Sequence, residues 1–99
     1  MRLSSNERKV ILEVVRRADP KAKVFLYGSR TKDHLKGGDI DLLVISDTLQ
    51  FKNKIDILTE LNLGLGEQKI DLVIKPADDF HSDPFISHIL KEAVELTAD

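Results

Sequence analysis

The chain has 99 residues, 41% of them hydrophobic, which suits one modest core, so we expect a single domain over residues 1–99. Its charged residues are mixed in sign and the net charge is −2, which argues against a strongly basic nucleic-acid binder, so no direct DNA binding is expected. There is no cysteine for disulfides or thiolate metal sites, and neither a membrane span nor a signal-peptide core is evident, so the predicted location is cytoplasmic.

The N-terminal segment predicts a helix followed by a strand. Ser4 and Glu7 have the spacing of a capping box, in which each side chain accepts a hydrogen bond from a backbone N–H group of the first turn. Apolar residues then recur at helical spacing until Asp19-Pro20, so the helix is expected to end near Ala18. The apolar run from Val24 to Tyr27 is short and bounded by turn residues, which predicts the first strand.

The strand breaks at Gly28-Ser29, where a phosphate-binding turn is predicted. Glycine allows a sharp turn and a close backbone approach to a ligand. Ser29 is expected to cap a short helix over residues 30–36, whose N-terminal N–H groups would attract an anion. The alternative is that Gly-Ser merely ends a strand. Gly37-Gly38 then reverses the chain.

A second apolar run, Asp39 to Ile45, opens with two carboxylates and predicts the second strand. Residues two apart on a strand share a face, so Asp39 and Asp41 are expected to face the same way as Leu43. Carboxylates beside a core are costly, which indicates a function. Since strand one must bring Ser29 close to Asp39, these two strands are expected to be antiparallel.

A strand–helix–strand crossover is predicted next. A cap within residues 47–50 precedes a helix, Gly64 and Gly66 are expected to end it, and Lys69 to Ile74 forms the third strand before Pro76. Such a crossover joins parallel strands with right-handed connectivity. The apolar stripe that we expect the helix to bury is Phe51, Ile55, Leu58 and Leu61.

The third strand carries a third carboxylate, Asp71. Its residues 70–74 echo the residues that follow Asp39, and in matching register Asp71 would lie about 5 Å from Asp41. Three such carboxylates cannot all stay ionised without a counter-charge. The simplest counter-charge is a divalent cation such as Mg²⁺, which binds carboxylates together with substrate phosphates.

The C-terminal segment predicts a polar loop over residues 77–83 and a last helix. Asp83-Pro84 has the pattern of an N-cap followed by proline at the first helical position. The expected buried face of this helix is Ile86, Ile89, Leu90, Ala93 and Leu96.

The pattern Gly28-Ser29, nine residues, Asp39-x-Asp41 and a later Asp71 resembles the polymerase β-type nucleotidyltransferase superfamily. The chain looks most like its minimal nucleotidyltransferases, over about residues 5–96. The resemblance implies an α/β (α+β) fold of order α-β-α-β-α-β-α, with a small mixed sheet flanked by helices. It also implies transfer of a nucleoside monophosphate from a triphosphate, ATP here, to an acceptor hydroxyl.

The resemblance implies roles for the site residues. Asp39, Asp41 and Asp71 would hold two Mg²⁺ ions, with Asp71 on the acceptor side, where it would take the acceptor's proton. Gly28 and Ser29 would grip the β,γ-phosphates. Arg30 or Lys32 would neutralise the leaving pyrophosphate. Lys32 stands where many relatives have arginine, and lysine keeps the charge but lacks arginine's bidentate hydrogen bonding.

The resemblance further implies a partner, because no second domain is present to hold the acceptor. Minimal nucleotidyltransferases are typically paired with a helical HEPN protein, so the chain is expected to be an antitoxin that adenylylates a tyrosine of a HEPN ribonuclease toxin; a homodimer is also possible. The alternative is a catalytically weak nucleotide-binding module that neutralises a HEPN partner by binding. A small-molecule nucleotidyltransferase, such as an antibiotic-modifying enzyme, is a third hypothesis.

Overall fold

The computed structural model describes residues 3–28, 39–66 and 68–98. The predicted helix over residues 30–36 and the Gly37-Gly38 reversal lie outside the described residues. In chain order the elements are α1 (Ser5–Ala18), β1 (Lys23–Tyr27), β2 (Ile40–Ile45), α2 (Phe51–Leu65), β3 (Ile70–Lys75), α3 (Asp79–Ser82), α4 (Pro84–Leu90) and β4 (Val94–Glu95).

The sheet confirms the predicted mixed topology. Its described strands follow the order β3-β2-β1-β4. Strand β1 runs antiparallel to β2 and to β4, whereas β2 and β3 are parallel neighbours joined through α2. The C-terminal end of β1 therefore lies beside the N-terminal ends of β2 and β3, which is where the carboxylates were expected.

The two faces of the sheet carry separate apolar clusters, as the alternation of strand side chains requires. Leu26, Leu42 and Leu72 face α1 and α2 and form the larger core with buried residues of these helices. Leu43 and Ile45 face the other way and pack with Ile86 of α4. Burial of apolar surface on both sides holds the sheet between its helices, since each Å² removed from water contributes about 25 cal/mol.

Helix α1 begins as predicted. Ser4 accepts a hydrogen bond from the Glu7 N–H group at 3.0 Å, and Glu7 accepts one from the Ser4 N–H group at 2.9 Å, which completes the capping box. Asp83 likewise caps α4 by accepting from the Phe85 N–H group at 2.8 Å, with Pro84 at the first helical position. No helix in the described part of the chain is long and apolar enough to cross a membrane.

The predicted buried face of α2 was half right, because Leu61 is fully buried and Leu58 packs against the larger core. Phe51 and Ile55 are 74% and 51% exposed, and the fully buried residues are Ile57 and Leu61. Both stripes have helical spacing, so periodicity alone does not choose between them. Contact with α1 and the sheet turns the face of Ile57 inward and leaves Phe51 and Ile55 in solvent.

The predicted ends of α2 are confirmed except at Gly64. Gly64 lies inside the helix, where a Cβ atom would come within 2.7 Å of a Val10 methyl group, so it allows α1 and α2 to pack closely. Gly66, with φ of 81°, ends the helix. Gln50 is the N-cap residue, and Asp47 instead accepts a hydrogen bond from the Ala77 N–H group at 2.9 Å.

The C-terminal segment corrects two further predictions. Part of the expected loop over residues 77–83 is the short helix α3, and α4 ends at Leu90 rather than continuing to Leu96. Ala93 and Leu96 keep helical spacing, but the outer edge of β1 offers backbone groups that need partners. The chain therefore extends into β4, and the Leu96 N–H group donates to the Val24 carbonyl at 2.8 Å.

Candidate active site

Two of the three predicted carboxylates lie side by side. Asp41 is the register partner of Asp71 across the parallel β2–β3 pair, as the sequence echo predicted. Asp41 also pairs with Tyr27 across the antiparallel β1–β2 pair. Because register partners point to the same face about 5 Å apart, Tyr27, Asp41 and Asp71 form a row across three strands. The row lies on the face that α4 covers.

Gly28 turns the chain directly beside this row. Its φ of 79° lies in the left-handed region that favours glycine. A Cβ atom at this position would overlap the Asp41 carboxylate oxygen Oδ2. The absence of a side chain thus lets the backbone at the end of β1 approach Asp41 closely, which is the arrangement a phosphate-binding turn beside a carboxylate requires.

Asp39, the third carboxylate, precedes β2 and is paired with a lysine. Its Oδ2 atom lies 3.7 Å from Lys69 Nζ, and the two side chains are 49% and 80% exposed. An ion pair this exposed contributes at most about 1 kcal/mol to stability. Asp39 is therefore held only weakly in its present geometry, and a more strongly bound cation would displace the lysine.

The electrostatics of the row show that its negative charge is not fully compensated. The pKa of Asp41 is raised, first by burial and then by the neighbouring charges of Asp71 and Asp39, while Lys69 opposes the shift. Burial, followed by the charges of Asp71 and Asp41, raises the pKa of Tyr27 to about 12. Tyr27 is thus a protonated phenol at neutral pH.

The donor set fits a hard divalent cation in its chemistry and only partly in its geometry. Carboxylate oxygens are the ligands that Mg²⁺ prefers, and the raised pKa of Asp41 reports the charge that a cation would neutralise. Within the described residues, however, no three acidic, histidine or cysteine side chains are already arranged around one metal position. Asp39 would have to exchange Lys69 for the cation.

The remaining predicted phosphate-binding residues, Ser29, Arg30 and Lys32, lie outside the described residues. Their roles therefore stay predictions. The described chain stops at Gly28 and resumes at Asp39, so both ends of the predicted phosphate-binding connection border the carboxylate row.

A cavity of about 370 Å³ opens beside the Gly28 turn. Tyr27 and Gly28 line it on the β1 side, and His88, Ile89 and Lys91 line it from α4 and the turn after it. The Tyr27 ring makes an edge-to-face contact with Phe85, with ring centroids 6.3 Å apart, which fixes its orientation. The cavity has room for part of a nucleotide next to the predicted phosphate turn.

Two residues of the site were not singled out as site residues from the sequence. Lys69 neutralises Asp39, and the signal for it was present: Lys69 precedes Ile70 as Asp39 precedes Ile40, so matching register places them side by side. Tyr27 ends the apolar run that predicted the first strand, which indicates core packing. It does pack, but it also aligns with Asp41, which follows from the antiparallel register of β1 and β2.

Comparison with known proteins decides the family. A family model described as a nucleotidyltransferase domain matches residues 8–96. The chain belongs to the nucleotidyltransferase domain family. No curated protein matches it. The family assignment confirms the nucleotidyltransferase fold and the transferase class predicted from the Gly28 turn and the three aspartates.

Solved structures share the fold. The chain is 23% identical to a chain of a mutant MntA–HpeT toxin–antitoxin complex, with a TM-score of 0.66 over 95% of this chain and 74% of that one. It is 22% identical to a chain of the Shewanella oneidensis complex of tri-AMPylated HEPN toxin with MNT antitoxin, with a TM-score of 0.64 over 94% and 71%. A Sulfolobus solfataricus protein named as a nucleotidyltransferase matches at 16% identity and a TM-score of 0.52 over 90% and 78%.

Proposed function

We propose that the chain is a metal-dependent adenylyltransferase that transfers AMP from ATP to a tyrosine of a HEPN-type toxin and thereby acts as its antitoxin. The observation that supports this best is the alignment of Asp41 and Asp71 on adjacent strands beside the Gly28 turn, in a chain of the nucleotidyltransferase family. The toxin as acceptor is suggested by the fold likeness to MNT antitoxins that are seen with HEPN toxins, one of them AMPylated.

In the proposed reaction the acceptor hydroxyl oxygen attacks the α-phosphorus of ATP. The bond from that phosphorus to the oxygen bridging to the β-phosphate breaks, and pyrophosphate leaves. Asp71, the exposed carboxylate of the row on the outer strand of the described sheet, would take the hydroxyl proton. The Gly28 turn, with Ser29, would hold the β,γ-phosphates through backbone N–H groups.

Asp39 and Asp41, joined by Asp71, are the residues that would hold Mg²⁺. When bound, two such ions stabilise the charge on the attacking and leaving oxygens of an in-line displacement. Asp41 must be ionised for this role, and because its pKa is raised in the metal-free chain, protons compete with the cation and Mg²⁺ affinity should fall as the pH is lowered. Arg30 or Lys32 would neutralise the pyrophosphate.

The test is transfer of label from α-labelled ATP to a HEPN-type toxin as the partner, in the presence of Mg²⁺. We expect one or more tyrosines of the partner to be labelled, and Asp71→Asn to reduce the rate at least about 100-fold, the usual contribution of general acid–base catalysis. Asp56→Asn, an exposed carboxylate on α2, is the matched control and should transfer normally. Absence of label with the wild-type chain would refute the proposal.

A second candidate is a module that neutralises its partner by binding alone. Lys32 in place of the usual arginine favours it, since lysine loses the bidentate contact with phosphate. The two candidates differ in one result. A binding module with Asp71→Asn would still neutralise the toxin, whereas the transferase would not.

A further inference from the structure

The outer edge of β3 is open along the described part of the chain. β3 is the last strand of the sheet, and its only described neighbour is β2. The N–H groups of Ile40 and Ser46 donate to the carbonyls of Lys69 and Lys75, each at 2.9 Å, so odd-numbered residues of β3 direct their backbone groups to β2. By the alternation of a strand, the backbone groups of Ile70, Leu72 and Ile74 point away from the sheet.

This edge carries less protection than exposed edges usually have. Lysines often guard such edges against pairing with another chain. Here Lys69 is paired with Asp39 at 3.7 Å and Lys75 with Asp83 at 3.3 Å. The strand between them, residues 70–74, is apolar except for Asp71.

A groove borders the same edge. Its volume is about 360 Å³, and it lies between the start of α2 and the C-terminal half of β3, with Phe51, Lys54, Val73 and Ile74 in its lining. Phe51 is 74% exposed, an unusual place for a phenylalanine unless something packs on it.

Asp71 links this edge to the active site. It lies on β3 itself, with Asp41 on its inner side, so an acceptor hydroxyl can approach it in the plane of the sheet only from the open edge. A strand added there would place one side chain opposite Asp71, about 5 Å away and on the same face. The residue three positions along that strand, about 10 Å away, would lie opposite Ile74 and point to the α2 side, where Phe51 is exposed.

We propose that the acceptor is an extended polypeptide segment that pairs with β3 as a fifth strand, presents its tyrosine to Asp71 and inserts an apolar side chain, three residues from that tyrosine, into the groove at Phe51. Main-chain hydrogen bonds to Ile70, Leu72 and Ile74 supply affinity, and the groove supplies specificity. This inference rests on the proposed transferase function and names the class of its substrate.

The test uses peptide pools of about twelve residues with a central tyrosine, labelled with α-labelled ATP and Mg²⁺. One pool has leucine three positions to either side of the tyrosine, and the other has asparagine there. We expect about tenfold more label in the leucine pool, since burial of one leucine side chain is worth at least that factor. Phe51→Ala should abolish the preference. Leu63→Ala, equally exposed on α2 but away from the groove, should retain it.

Amide exchange measured by NMR on the intact chain gives a second readout. With the leucine pool present, the amides of Ile70, Leu72 and Ile74 should gain protection, while those of Asp71 and Val73, already bonded to β2, should change little. Equal labelling of the two pools, identical behaviour of Phe51→Ala and Leu63→Ala, or no gain in protection would each overturn the inference. Protection that appears without peptide and rises with protein concentration would assign the edge to a second copy of the chain and also overturn it.

Failure of this inference and failure of the proposed function give different results. If the intact helical partner is labelled but the pools and the edge amides do not respond, only the extended-segment inference is wrong. If peptides protect the edge amides but neither peptide nor partner is ever labelled, the docking site stands and the transferase function is wrong.

Discussion

The repulsion between Asp41 and Asp71 predicts that Asp71→Asn makes the metal-free protein more stable. The two carboxylates occupy paired positions on neighbouring strands, about 5 Å apart, where their Coulomb repulsion is about 1 kcal/mol in bulk water and about 3 kcal/mol at an effective dielectric constant of 20. Because Asp71 is exposed, the lower figure applies. The variant should gain about 1 kcal/mol in free energy of unfolding, or roughly 4–8 °C in Tm for a domain of this size.

Thermal unfolding at neutral pH with a chelator present measures this effect, with Asp56→Asn as the control for a change of net charge. The pH dependence of this stability difference provides a second test. A raised folded-state pKa means that the native protein binds the proton of Asp41 more tightly than the unfolded chain does, so stability falls as pH rises through the pKa of Asp41. The gain in Asp71→Asn should therefore appear over that range and vanish in acid, where Asp41 is protonated.

Mg²⁺ should reverse the order of stability. The wild-type chain gains stability from a cation that binds only its native carboxylates, whereas Asp71→Asn loses a ligand and gains less. If Asp71→Asn in chelator is no more stable than wild type, or shows the same change as Asp56→Asn, then Asp41 and Asp71 do not repel each other, and the inferred convergence of charge is wrong.

Three further predictions concern the Gly28 turn, Tyr27 and the buried hydrogen bond between Ser46 and Asp19. Gly28→Ala should abolish transfer and lower stability by at least about 1 kcal/mol, because alanine would have to adopt a positive φ and its methyl group would overlap Asp41. Transfer assays and denaturant unfolding of this variant check both effects, and normal activity would contradict them. Tyr27 is the single tyrosine of the chain, so its ultraviolet titration should show ionisation near pH 12, and stability should fall between about pH 10 and about pH 12. Ionisation at the ordinary value near 10 would refute the partly buried, anionic surroundings. Ser46→Ala should lower the free energy of unfolding by about 2 kcal/mol, since Ser46 donates a buried hydrogen bond to the Asp19 carboxylate. Hydrogen bonds, chiefly this one, lower the pKa of Asp19, so the loss measured by denaturant unfolding should persist above about pH 4 and shrink as pH falls through that lowered pKa. A loss that is unchanged in acid would contradict this prediction.

The strand register at the candidate site could be predicted from the sequence because its signal was local and repeated. The similar sequences of residues 40–45 and 70–74 predicted both the strand type and the register that aligns Asp41 with Asp71. The need to bring the end of β1 to the start of β2 gave the antiparallel pairing. These inferences depend on a period of two and on crossover geometry, which tertiary packing rarely overrides.

The predictions that failed depended on choices between equivalent local patterns. In α2, the stripe through Phe51 and the stripe through Ile57 have the same period, and only contact with α1 and the sheet decides which one is buried. After Leu90, helical spacing continues through Leu96, but the open edge of β1 binds the chain as a strand instead. Both outcomes are set by contacts distant in sequence, which a single periodic segment does not reveal.

The central claim is that Asp39, Asp41 and Asp71 together bind a divalent cation next to the Gly28 turn. Titration with Mn²⁺, observed by NMR, tests it most directly, because the paramagnetic ion broadens the amide signals of nearby residues. We expect broadening that centres on Gly28, Asp41 and Asp71 and that weakens in Asp71→Asn. Broadening centred on Asp78, Asp79 and Asp83, in and beside α3, or broadening unchanged by Asp71→Asn, would contradict this metal site.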